Sequence, residues 1–256
     1  EPVINKSKVP ATLALYGLAA ISDKQFTKGE NALLKALELA PNNVRVRLAL
    51  AGLYRSGPKT DINKEWDQLN KSYETDDKDK QVLKDIVSYH LRHQNVNKAS
   101  AFLKDSLAKN GKDYATNLIA GYFSLNQKDL VKALEYFTVA SRAKTEGDDL
   151  LNSLFAKGKT EIALQKLQDA QKTFTDVISK FPQSELGYKG LLSIYLISDD
   201  EAEGQKQLEN YAERNAQVAP YLVLIQSAVA RQDVKSAKHF HEKAKAIKTG
   251  DPSIER

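Results

Sequence analysis

The 256-residue sequence has no cysteine and no methionine. The first absence excludes a disulfide framework, a thiolate metal site and a cysteine nucleophile. Glycine and proline are few, at 12 and 7 residues, and strand signals are nearly missing. No apolar run approaches the roughly 18 to 20 residues needed to cross a bilayer; the longest, around Tyr221 to Ala230, carries Gln226 and fits a buried helix. Neither sign of charge dominates. The 38 basic and 33 acidic residues leave a formal +5, spread along the chain without a dense block, which gives no argument for nucleic acid. There is no phosphate-cradling glycine loop, no nucleophile elbow and no dinucleotide-binding glycine signature.

What is present favours helix. The chain is 41% hydrophobic, enough to bury a substantial core. Its long stretches of Ala, Leu, Lys, Gln and Glu lose little side-chain freedom on a helical backbone. It begins at Glu1 without an initiator methionine or a signal-like stretch, so it reads as processed or as a segment of a longer protein.

A period runs through the chain. Small residues Ala99, Ala133, Ala170, Gly204 and Ala237 recur at intervals of 34, 37, 34 and 33, and Gly29 precedes the first by 70, two periods. A bulkier residue follows each by four: Leu33, Leu103, Phe137, Phe174, Leu208 and His241. Three further on lie Ala36, Ser106, Ala140, Val177, Tyr211 and Ala244. Offsets of four and three define one face of a helix. Ile62, Trp66, Leu69 and Tyr73 keep the stripe in the one unit that lacks the small residue. A second helix precedes each of these, marked by Leu13, Tyr16, Gly17 and Ala20, then by Leu50, Ala51 and Tyr54, and later by Ala120 and Gly121 and by Tyr188, Leu191, Leu192 and Tyr195. Helix breaks are predicted at Pro41-Asn42-Asn43, Gly111, Gly147 and Pro182-Gln183-Ser184.

These residues resemble the tetratricopeptide repeat (TPR) pattern. The first unit matches through Leu13, Gly17, Gly29, Leu33, Ala36 and Pro41, the fourth through Gly121, Ala133, Phe137 and Ala140, and the fifth through Gly158, Ala170, Phe174 and Pro182. The sixth contributes Tyr188, Leu191 and Tyr195. The second and third units are degenerate, and His90 and Glu161 stand where an aromatic is preferred. The resemblance implies an all-α fold, an α-solenoid with a right-handed superhelix of about seven antiparallel hairpins near residues 10–43, 44–79, 80–113, 114–150, 151–184, 185–217 and 218–252. A terminal hairpin without a neighbour needs a polar cap. Lys248 to Arg256 is too short to form one, Asp251-Pro252-Ser253 reads as the start of another unit, and Pro2 and Pro10 read as the close of an earlier one, so continuation beyond at least one end is expected.

Chemistry is hard to find. His90 and His93 share a helix face, but a zinc site needs at least three ligands; His90 reads as a packing residue and His93 as the end of its helix. Asp76-Asp77, Asp148-Asp149 and Asp199-Asp200 fall at predicted turns, where Asp caps a following helix. No catalytic, cofactor-binding or metal residue is assigned, and no enzymatic activity is expected.

The resemblance places the first helix of each hairpin on a concave groove, with Arg45, Arg55, Lys84, Ser88, Arg92, Tyr122, Asn126, Lys159, Lys189 and Gln226 as candidate partner-binding positions. Such a mixed basic and polar face suits a protein or peptide partner, including an acidic one, or an anionic polysaccharide. The chaperone-tail clamp of some members would fall on Ala11, Ala14 and Leu18, which cannot form it, and the scattered tyrosines do not make an RNA-stacking series. The expected function is therefore a non-catalytic protein-interaction scaffold. The runs FAKGKTEIALQKLQDAQKTFTDVISKFPQS and GYKGLLSIYL are also similar to bacterial envelope TPR lipoproteins of exosortase or exopolysaccharide systems. That similarity implies a polymer-handling or assembly module in the periplasm or cell envelope, with the cytoplasm as the alternative setting.

Overall fold

The structure, a computed structural model, describes residues 8–144 and 146–247. These residues form fourteen α-helices and no strand. The helices are α1 (Pro10–Ser22), α2 (Phe26–Leu39), α3 (Val44–Ser56), α4 (Ile62–Thr75), α5 (Lys80–Arg92), α6 (Val96–Asn110), α7 (Tyr114–Asn126), α8 (Leu130–Arg142), α9 (Gly147–Ala163), α10 (Leu167–Lys180), α11 (Glu185–Ile197), α12 (Glu201–Asn215), α13 (Ala219–Ala230) and α14 (Val234–Ile247). Consecutive pairs make seven hairpins, the number the repeat predicts. Pro2 and the stretch from Lys248 to Arg256, with Asp251-Pro252-Ser253, lie outside the described residues.

The repeated small residues explain how each hairpin closes. An added Cβ at Gly17 would lie 2.8 Å from Leu33 Cγ, at Gly121 2.5 Å from Phe137 Cε1 and at Gly158 2.6 Å from Phe174 Cζ. A glycine on the first helix thus accommodates the bulky side chain of the second. On the second helices Ala99, Ala133 and Ala170 are fully buried, as are Leu33, Phe137 and Phe174 four residues after their own small positions.

Six of the seven hairpins turn in the same way between their two helices. Lys24, Gln94, Lys128, Gln165, Asp199 and Gln232 all have φ between 55° and 61°. The next residue's amide then reaches back to a carbonyl five residues earlier, as in Gln25 to Ala20, Asn95 to His90 and Asp129 to Ser124, at 2.8 to 2.9 Å. This left-handed step satisfies carbonyls that the end of a helix leaves open. The exception is α3–α4, joined by a longer loop through Gly57 and Pro58.

Between hairpins the breaks lie where Pro41, Gly111, Gly147 and Pro182 predict them. Gly147 adopts φ 75°, a conformation without cost only when Cβ is missing. The acidic pairs behave differently from expectation. Asp79, not Asp76 or Asp77, caps α5 by accepting the amides of Gln81 and Val82 at 2.8 and 2.9 Å. Asp148 and Asp149 sit inside the first turn of α9, and Asp200 is at the N-cap of α12 without a side-chain cap bond. Asn43, Asp61, Asp129, Ser184 and Asp233 do cap the helices that follow them.

The chain divides into two compact units, residues 1–119 and 120–256. In the first, Leu13, Leu33, Ala36, Val46, Leu50 and Tyr54 form one core cluster, and Ala51, Leu69, Val82 and Ile86 form another beside Trp66, Tyr73, Tyr89 and Phe102. In the second, the largest cluster runs from Ala170 and Phe174 through Tyr188, Leu208 and Tyr221 to Phe240 and Ala244.

Two glycines should respond oppositely to alanine. Gly158→Ala drives a Cβ into the Phe174 ring, and overpacking of about 1 to 3 kcal/mol outweighs the gain in helix propensity of about 1 kcal/mol. At Gly52 the nearest atom to an added Cβ is the end of Arg55 at 3.8 Å, so Gly52→Ala keeps the propensity gain. Urea midpoints should fall for the first variant and rise for the second.

Candidate partner-binding face

In the first unit the candidate positions lie on α3 and α5, which are tied together by Arg55 Nη1 on Asp85 Oδ1 at 3.7 Å. Arg45 and Lys84 are exposed and Ser88 is half-buried. Arg92 is different in kind, because its guanidinium pairs with Glu65 of α4, a carboxylate buried to 3% exposure. Arg47 adds a polar tie between α3 and α4, donating to Gln68 Oε1 at 3.1 Å. These contacts stand where the degenerate second hairpin lacks the small crossing residue.

In the second unit Tyr122 is exposed and sets its ring edge-on to Phe137, with centroids 5.1 Å apart. Asn126 accepts from Gln127 Nε2 at 2.9 Å, and the Lys159 ammonium stands 5.7 Å from the Phe155 ring centroid. Lys189 pairs with Glu185 at 2.8 Å, and Gln226 donates to the same carboxylate at 3.0 Å, which links α11 to α13. Lys189 and Gln226 thus meet at one acid, as Arg55 meets Asp85. Local spacing could have revealed Glu185, four residues before Lys189. Nothing local reveals Glu65, 27 residues before Arg92.

The two residues that depart from the repeat pattern are both buried. Glu161 is held by Lys157 Nζ at 2.7 Å and by the Thr173 hydroxyl, which donates to it at 2.7 Å. His90 packs its ring 5.0 Å from Trp66 and 5.4 Å from Tyr89, and His93 forms the C-cap of α5. Burial, then Lys98 and then His93, pulls the His90 pKa below its ordinary 6.5. Among the described residues no three His, Asp or Glu side chains are grouped to hold a metal ion.

No protein-family model and no curated protein sequence matches the chain. Solved structures do. A tetratricopeptide repeat protein from Parabacteroides merdae matches with a TM-score of 0.52 at 14% identity, covering 96% of this chain and 96% of that protein. Yeast Tom70 matches with a TM-score of 0.62 at 16% identity, covering 96% of this chain and 49% of Tom70. The fold is that of the tetratricopeptide repeat. At these identities the likeness is one of fold, and the chain spans about half the length of Tom70. Within this tetratricopeptide fold the clamp positions of the first hairpin are occupied by exposed Ala11 and Leu18 and half-buried Ala14, with no cation among them.

Two measurements follow from the charge placement. Arg92→Ala leaves Glu65 buried without its cation and should cost about 2 kcal/mol, whereas Arg45→Ala should stay within about 0.5 kcal/mol of the parent; chemical denaturation compares them. For His90 the folded value lies below the unfolded 6.5. The unfolded chain therefore binds more protons as pH falls from 6.5 towards the folded value, and stability drops through that window while being unaffected above it. His90→Phe should flatten this part of the stability profile, read from Trp66 fluorescence.

Proposed function

We propose that the chain is a non-catalytic protein-interaction scaffold whose first helices present a polar, partly basic face to a protein or peptide segment bearing carboxylates. One observation carries this reading. Neighbouring first helices are fastened to one another, α3 to α5 by Arg55 and Asp85 and α11 to α13 by Gln226 and Glu185, while Arg45, Lys84 and Lys159 stay exposed without a carboxylate partner among the described residues. A preorganised surface of this kind binds without the entropic cost of ordering itself. Specificity then rests on the few side chains not committed to internal pairs.

The pairing also weighs between partners. A track for an anionic polymer needs a run of uncompensated cations, and here Arg55, Arg92 and Lys189 are each already paired with a carboxylate. A short acidic peptide meeting Arg45 and Lys84 fits better. The periplasmic or envelope setting rests only on the resemblance of the runs FAKGKTEIALQKLQDAQKTFTDVISKFPQS and GYKGLLSIYL, and no described helix is long and apolar enough to cross a membrane.

Anisotropy titration of a fluorescein-labelled 12-residue Asp/Glu-rich peptide onto the full chain tests the face. Affinity should fall at least fivefold in Arg45→Glu with Lys84→Glu, and should weaken in 0.5 M salt. Both residues are exposed, so melting should be unchanged; equal binding by parent and variant rejects the reading.

A further inference from the structure

The outward face of α8 differs from the same face of the other second helices. Two residues before, one after and six after the small crossing residue, α6 carries Asn97, Ser100 and Asp105, and α10 carries Gln168, Gln171 and Asp176. On α8 the three are Val131, Leu134 and Val139, whereas α2, α12 and α14 have no Val, Leu or Ile at any of them. Val131 is 60% exposed, and Leu134 and Val139 are half-buried. Together with Leu164 from the turn into α10 they line a groove of about 440 Å³. The stack does not stop here: α9 packs on α8 and α10 on α9, and the groove stays open beside them.

The face carries charge of both signs. Glu135 and Arg142 line the same groove, seven residues and about 10 Å apart along the helix. Both are exposed, and neither has a partner among the described residues. On α12 the matching positions are Lys206 and Glu213, but these pair with Glu203 and Lys243. Of the cations around the α8 groove, Lys132 is held by Asp129 at 2.9 Å and Lys144 by Asp149 at 3.7 Å, while Lys166 stands exposed on the rim. An anion and a cation on one helix face make that face complementary to itself under a twofold axis, because each then meets its opposite in the other copy. With two α8 helices antiparallel and the axis between Thr138 and Val139, Glu135 of each copy faces Arg142 of the other, Leu134 faces Ala143, and Thr138 and Val139 meet at the centre.

We propose that α8 is the contact through which two copies of this chain associate, antiparallel about a twofold axis. The surface belongs to a second helix, so it neither uses nor depends on the first-helix face. A helix of another protein would have to bring an aliphatic side and two opposite charges spaced seven residues apart in reversed order. A second α8 supplies all three. One helix crossing buries less than the roughly 1,200 Å² of a lasting interface. Association is therefore weak, rises with concentration and, because its ion pairs are near water, falls with salt.

Sedimentation velocity of the full chain at rising concentration, up to about 500 µM, tests the contact. The parent should move from monomer towards dimer, and less so in 0.5 M salt. Glu135→Arg and Arg142→Glu should each weaken self-association at least tenfold, because like charges then face each other. The two single variants mixed in equal amounts should associate as the parent does, and the double variant Glu135→Arg with Arg142→Glu should recover on its own. Both positions are exposed, so melting curves should coincide with the parent's, and Arg45→Glu with Lys84→Glu should leave self-association unchanged. A parent that stays monomeric throughout overturns the proposal and leaves the groove to a helix of a different protein. A dimer that neither single variant weakens, or that the mixture or the double variant fails to recover, overturns it as well.

Discussion

The structure depends on one steric arrangement, a nearly missing side chain set against a large one. Gly17 beneath Leu33, Gly121 beneath Phe137 and Gly158 beneath Phe174 leave room for the large side chain of the second helix to lie directly against the first. A hairpin so closed is only two helices thick, and a unit of about 34 residues cannot cover its own apolar stripe. It must lie against another. That requirement sets neighbouring first helices side by side, which is why Arg55 can reach Asp85 and Gln226 can reach Glu185 across hairpins.

The crossings were legible because side-chain size recurs at a fixed interval. The breaks between hairpins were legible too, since Pro41, Gly111, Gly147 and Pro182 are punctuation of a familiar kind. The turns inside hairpins were not. Lys24, Gln94, Lys128, Gln165, Asp199 and Gln232 are all polar and unbranched at Cβ, but none is the glycine that usually marks a left-handed backbone. The second hairpin was obscure for a related reason. It replaces the small crossing residue with polar ties such as Arg47 to Gln68, which have no period.

The candidate face was only half readable. Sequence placed Arg45, Arg55, Lys84 and Arg92 on first helices, but a count of charges does not say which are spoken for. Arg92 answers a carboxylate sealed beneath it, and Lys189 shares Glu185 with Gln226. Half of the candidate cations, Arg55, Arg92 and Lys189, are in this way paired, leaving Arg45, Lys84 and Lys159 as isolated cations in place of a continuous positive track. Long-range pairs of this kind arise from stacking and have no local signature.

The recurring left-handed turn has a consequence for how much sequence variation the fold accepts. Because backbone geometry and two carbonyl bonds hold it, the turn is made here by Lys, Gln and Asp without any glycine. Outward positions on the helices are equally undemanding. Such an architecture keeps its outline under wide sequence variation, in accord with a chain that shares its fold with solved structures at 14 and 16% identity while no family model matches it.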